Sequence, residues 1–175
     1  MRVFGTHTVP TGARMESLGE ALAALLLPGD IVLLTGPLGA GKTTLTRGIG
    51  RGLGVRGPVT SPTFVLARTH PSLRGGPPLV HVDAYRLSDA LELDDLDLDF
   101  ARSVTVVEWG AGLLDGIAES WLDVVIDRPT GGVAQGSGVA GGDDLADEVE
   151  EPRLVTVRGR GPRWRHAAAP GGDPS

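Results

Sequence analysis

One segment limits the possible folds more than any other: Ile31-Val-Leu-Leu-Thr35 running directly into Gly36-Pro-Leu-Gly-Ala-Gly-Lys-Thr43. A short continuous apolar run is the signature of a strand buried on both faces. The pattern G-x-x-x-x-G-K-[ST] is met by Gly36, Gly41, Lys42 and Thr43. Residues 43–53 then read as a helix capped by Gly54. Strand, glycine loop and helix in this order make a phosphate cradle. The glycines let backbone N–H groups converge, and the positive end of the helix adds its field. In such a cradle Lys42 reaches the β- and γ-phosphates and the Thr43 hydroxyl binds Mg²⁺. The expected ligands are therefore ATP/ADP with Mg²⁺, held by Gly39, Ala40, Gly41, Lys42, Thr43 and Thr44.

Composition bears on how specific the match is. The chain has 27 Gly, so a chance glycine loop has to be weighed. Against chance, Lys42 is the sole Lys among 16 basic residues. A guanine-reading [NT]-K-x-D motif is impossible, because there is no Asn and the sole Lys already sits in the loop. A Leu-Ser-Gly-Gly signature is missing too. Arg68, Arg74 and Arg86 keep a small-molecule kinase open as an alternative, beside a non-catalytic nucleotide-binding scaffold.

A phosphate cradle needs acids at neighbouring strand ends. Asp83 follows Leu-Val-His-Val and Glu108 follows Val-Thr-Val-Val. Both are expected at the carboxyl edge of a sheet, where ligands bind. One can hold Mg²⁺ through its water shell while the other orients attacking water; the pattern does not say which. Thr60, Ser61 and Thr63 are read either as a switch-like loop or as turn chemistry around Pro62. Trp109 is read as either a core residue, the default for its type, or a partner-facing ring, and His81 as a strand residue. His7, His70 and His166 lack metal-ligand spacing.

The fold class is α/β: a single P-loop NTPase domain with a mixed β-sheet flanked by helices. Met15, Leu18, Leu22, Leu25 and Leu26 predict a helix, with Thr11 as N-cap and Pro28-Gly29 as its stop. Further strands are expected over 64–68, 79–82, 104–107, 121–127 and 153–158. The last should pair with 121–127, whose alternation predicts an edge or antiparallel strand. Short helices are expected over 88–96 and 110–118. Residues 1–128 form the expected core and 129–152 a disordered Gly-rich and acidic loop. Residues 153–159 are its final strand, and 160–175 a flexible tail frayed from Gly159 onward.

The net charge is −6, and six acids lie between Asp143 and Glu151 without a base among them. The rest of the chain is neutral, which argues against strong nonspecific nucleic-acid binding. The absence of Cys and of any long apolar run leads us to expect a cytoplasmic protein with no membrane partner.

Four blocks stand in register: Gly-x-Leu-Gly-Ala-Gly-Lys-Thr-Thr (36–44), Ser-Pro-Thr-Phe (61–64), His-x-Asp-x-Tyr-Arg-Leu (81–87) and Val-Glu-Trp (107–109). In order and spacing they resemble the TsaE family, bacterial ATPases of tRNA threonylcarbamoyladenosine modification. The resemblance runs from about Val9 to Asp127 and more weakly through 153–159. It implies Mg²⁺-dependent ATP hydrolysis in work with TsaD and TsaB on adenosine 37 of ANN-reading tRNAs. Hydrolysis would regulate or reset that complex, and tRNA contact would be indirect. The resemblance casts Lys42 as the phosphate lysine, Thr43 and Glu108 as the metal side, and Asp83 as the catalytic acid. Thr63 and Trp109 match functional-loop positions; Thr11 and Arg153 lie near the base. Pro37 departs from the acid usual after the first Gly, and 129–151 is longer and more acidic than usual.

Overall fold

The structure is a computed structural model and describes residues 2–62, 65–88, 92, 97–128 and 151–165. Its strands are β1 (Gly5–Val9), β2 (Ile31–Thr35), β3 (Ala67–His70), β4 (Leu79–Asp83), β5 (Val104–Glu108), β6 (Trp121–Asp127) and β7 (Arg153–Arg160). Its helices are α1 (Gly12–Ala23) and α2 (Lys42–Leu53). The seven strands form one sheet in the order β1-β7-β6-β2-β5-β4-β3. The central strands β6, β2, β5 and β4 run parallel. β7 pairs antiparallel with β6, β1 with β7, and β3 with β4. The sheet is therefore mixed, as expected, with its antiparallel strands at the two margins.

Helices α1 and α2 cover one face. Met15, Leu18 and Leu22 of α1 and Leu45 and Ile49 of α2 are buried with Val32, Leu34, Val106 and Val124 of the sheet. A smaller apolar cluster, Leu33, Val80, Val82 and Val107 with Leu114, lies on the other face. Thr11 caps α1 as predicted: its Oγ1 accepts from the Arg14 N–H at 3.2 Å. The two helices approach so closely that a Cβ on Gly48 would lie 2.1 Å from the Glu16 carbonyl oxygen. Arg47 and Arg51 reach across to Glu16, and Arg51 also to Glu20.

Several expectations are corrected. The strand expected over 64–68 starts at Ala67, because Leu66 takes φ 65° and breaks the extended chain before it. Residues 110–118 form turns and not a helix, since Gly112 and Gly116 adopt φ 83° and 94°. Of the two readings of β6, antiparallel holds and edge does not: it pairs antiparallel with β7, as expected, and lies between β7 and β2. The tail expected to fray from Gly159 instead carries β7 to Arg160 and a 3₁₀ turn, Pro162–Trp164. Trp164 is buried against Phe4. β1 was not foreseen. The helix expected over 88–96 and the loop expected over 129–152 fall almost wholly outside the described residues, as do 166–175 and His166. Among the described residues no helix is long and apolar enough to cross a membrane.

Candidate functional site

The strand order reverses at β2, whose neighbours are β5 on one side and β6 on the other. Ligands of open α/β sheets bind at such a switch point, outside the carboxyl ends of the strands. The Gly36–Gly41 loop leaves β2 at this point and enters α2 at Lys42. Two of its glycines take left-handed backbone, Gly39 at φ 74° and Gly41 at φ 109°. Gly36 is required for another reason: a Cβ there would stand 2.6 Å from the Ile126 carbonyl oxygen. The sequence thus closes a tight loop around the first turn of a helix, whose unsatisfied N–H groups are an anion site.

Lys42 is buried and its Nζ donates to the carbonyls of Gly36 (2.8 Å) and Pro37 (3.0 Å). The same ammonium lies 4.2 Å from the centre of the Trp109 ring. Burial pushes Lys42 below the ordinary lysine value; the negative charges of Glu108 and then Asp83 pull it partway back. That electrostatic coupling ties the cradle to both predicted acids. Asp83 and Glu108 are paired neighbours at the ends of β4 and β5, and both are buried. The two-residue period puts them on the face covered by α2, with Leu79 and Val104. Asp83 Oδ1 accepts from the Tyr85 N–H at 3.0 Å, which starts the 3₁₀ turn Ala84–Arg86. His81, fully buried in β4, meets Glu108 with Nε2 2.8 Å from Oε1.

Of the two readings of Trp109, the core default is corrected and the outward-facing ring stands: the residue is 38% exposed. It holds φ 61°, uncommon for a bulky residue. Its ring packs edge-on against exposed Tyr85, with centroids 5.7 Å apart. Turning out of β5 in this way brings the ring over Lys42.

Beside the cradle is a cavity of about 410 Å³ lined by Thr11, Gly39, Ala40, Gly41, Thr44 and Arg153, all foreseen. Val9, Pro10, Gly12, Met15, Arg128 and Glu151 complete it and were missed. Arg128 pairs with Glu151 at 3.3 Å. Arg128 had a signal, since it follows the end of β6 at the same sheet edge; Glu151 was submerged in the acidic run. Thr63 lies outside the described residues. Thr43 sits half-buried in the first turn of α2.

The donors fit the expected ligands. The cavity has the volume of a small-molecule site, and it adjoins the glycine loop. Thr43 and Glu108 offer oxygen, the donor Mg²⁺ prefers. Among the described residues no group of three or more His, Cys, Asp or Glu gathers as a metal site. A Mg²⁺ ion here would take Thr43 and Glu108 beside phosphate and water oxygens, the usual way with this ion.

Residues 9–132 match the family model described as threonylcarbamoyl adenosine biosynthesis protein TsaE. The tRNA threonylcarbamoyladenosine biosynthesis protein TsaE of Streptomyces coelicolor is 58% identical over 156 residues, covering 87% of this chain and 95% of that one. The same-named protein of Mycobacterium tuberculosis is 50% identical over 133 residues, covering 71% and 79%. The crystal structure of Bacillus subtilis YdiB matches with a TM-score of 0.65 at 27% identity, over 93% of this chain and 89% of that one. The chain therefore belongs to the TsaE family, whose matched members are named for tRNA threonylcarbamoyladenosine biosynthesis.

Proposed function

We propose that this chain is a Mg²⁺-dependent ATPase that works with TsaB and TsaD in threonylcarbamoyladenosine modification of adenosine 37 in tRNAs reading ANN codons. The observation that carries the reading is the juxtaposition of a glycine-loop cradle holding the buried Lys42 with two buried carboxylates, Asp83 and Glu108, paired at the ends of β4 and β5. In this reading Lys42 leaves the Gly36 and Pro37 carbonyls for the β- and γ-phosphate oxygens. The loop N–H groups bind the same phosphates. Thr11, Arg153 and the cavity floor around Gly39–Gly41 and Thr44 hold the nucleoside end. Mg²⁺, held by Thr43 and Glu108, would neutralise the charge that builds on the transferred phosphoryl group. Asp83 orients the attacking water. Trp109 and Thr63 serve as loop residues that respond to the nucleotide. Hydrolysis resets the modifying complex, and tRNA is met through that complex. The setting is the cytoplasm.

The neutral body of the chain outside residues 143–151 favours indirect tRNA contact, since direct binding draws on clustered basic charge. ATP hydrolysis measured with and without TsaB–TsaD tests the reading. It should be slow alone, rise with the partners, and fall to background in Glu108→Ala. Transfer of phosphate to a metabolite, or equal rates with and without the partners, would overturn it.

A further inference from the structure

The proposed function uses Glu108 but leaves its buried neighbour without a task. His81 is 0% exposed, in mid-strand, among Leu79, Val80 and Val82. Its Nε2 stands 2.8 Å from Glu108 Oε1. Its Nδ1 is buried and has no partner among the described residues. A carboxylate accepts only, so Nε2 carries the hydrogen and donates it. A strand residue chosen for packing alone would be apolar, like those around it. An imidazole that leaves one nitrogen orphaned is a poor choice for stability. Its single satisfied nitrogen points at the Glu108 carboxylate, one of the two buried acids at the strand ends beside the cradle.

From this we infer that His81 is a positioning residue: its Nε2–H fixes the Glu108 carboxylate so that the other oxygen serves the nucleotide-bound cation. The inference rests on the reading of Glu108 as a metal-side acid. The physical need is clear from the side chain. The last torsion of Glu is broad and nearly two-fold, so an unheld carboxylate presents its oxygens over a wide arc. One donor from the neighbouring strand removes that freedom. β4 and β5 set it up by register, with His81 opposite Val106 and Asp83 opposite Glu108. The donor therefore reaches across to the acid two residues further along the same face. Groups around metal ligands commonly act in this way.

The test compares His81→Leu, which keeps bulk without a donor, with His81→Gln, whose amide nitrogen ends near the Nε2 position. Mn²⁺ serves as the probe, its affinity for the protein–ADP complex read by electron paramagnetic resonance. ADP affinity is read separately in chelator. His81→Leu should weaken Mn²⁺ affinity about 10- to 100-fold while ADP affinity in chelator stays within about twofold. His81→Gln should recover most of the loss. If His81→Leu does not fold, His81→Asn, whose amide falls short of Glu108, carries the same expectation. Wild-type Mn²⁺ affinity in a folded variant lacking the donor would overturn the inference. Wild-type Mn²⁺ affinity in Glu108→Gln would instead overturn the metal role of Glu108, and this inference with it.

Discussion

Asp83 has two tasks that a single substitution separates. Its Oδ1 caps the Ala84–Arg86 turn through the Tyr85 N–H, and its charge faces Lys42. Asp83→Asn keeps an Oδ1 acceptor and discards the charge. Hydrolysis should fall by about 10²- to 10⁴-fold, the scale of a lost acid–base group. The melting temperature and ADP affinity should barely change. A parallel loss of stability would mean that the turn, and not the water, is what Asp83 serves. His70, in the marginal strand β3, offers a pH test. Its Nδ1 donates to the Arg56 carbonyl at 3.2 Å, its Nε2 is buried without a partner among the described residues, and burial pushes it below the ordinary histidine value of 6.5. The folded state therefore binds a proton less readily than the unfolded chain does. As pH falls below about 6.5 the unfolded state gains protons first, and stability should drop. Melting curves between pH 7.5 and 5 should show a steeper fall for wild type than for His70→Gln.

At the scale of elements, the cradle is only as fixed as α2, and α2 is fixed by α1. Gly48 and Gly19 bring the two backbones together; a Cβ on Gly19 would lie 2.3 Å from the Leu45 carbonyl oxygen. Backbone cannot retreat as a side chain does. Gly48→Ala should therefore destabilise by about 2 kcal/mol in urea denaturation, despite the roughly 1 kcal/mol that Ala gains over Gly within a helix. A neutral or stabilising effect would show that the helices can part without cost. The same elements show how much the sequence disclosed. β2, the glycine loop and α2 were legible because their chemistry is local: an apolar run, glycines in fixed places, and a left-handed Gly54. β1 was not, because Gly-Thr-His-Thr-Val carries little apolar signal and the strand it pairs with lies some 150 residues away, Gly5 opposite Val157. β6 shows what alternation does and does not report. It correctly separated Leu122, Val124 and Ile126 from Asp123 and Asp127, which is a statement about faces. The edges of a strand leave no mark of that kind: the expected antiparallel pairing with β7 is present, but the parallel pairing with β2 was not foreseen. The positions of Asp83 and Glu108 could be foreseen from strand ends. The His81–Glu108 contact could not, since it depends on how two strands are registered.

For the molecule as a whole, the C-terminal segment folds back against the residues that precede β1 and β2. Trp164 is buried against Phe4, with Arg163 stacked 4.2 Å from its ring. Arg163 also pairs with Asp30 just before β2. The segment expected to be a loose tail thus belongs to the core that sets β2, and with it the cradle. Trp164→Ala should cost about 3–5 kcal/mol, the range for emptying a buried aromatic site, and denaturant unfolding would show it. A loss below about 1 kcal/mol would return these residues to the tail. Everything proposed for catalysis presupposes that the loop between β2 and α2 grips phosphate. Titration calorimetry of ATP with Mg²⁺ into wild type and Lys42→Ala measures that grip directly. Saturable one-to-one binding by wild type, weakened at least about tenfold when the ammonium is removed, is the predicted result. No binding by wild type, or equal binding by both proteins, would contradict it.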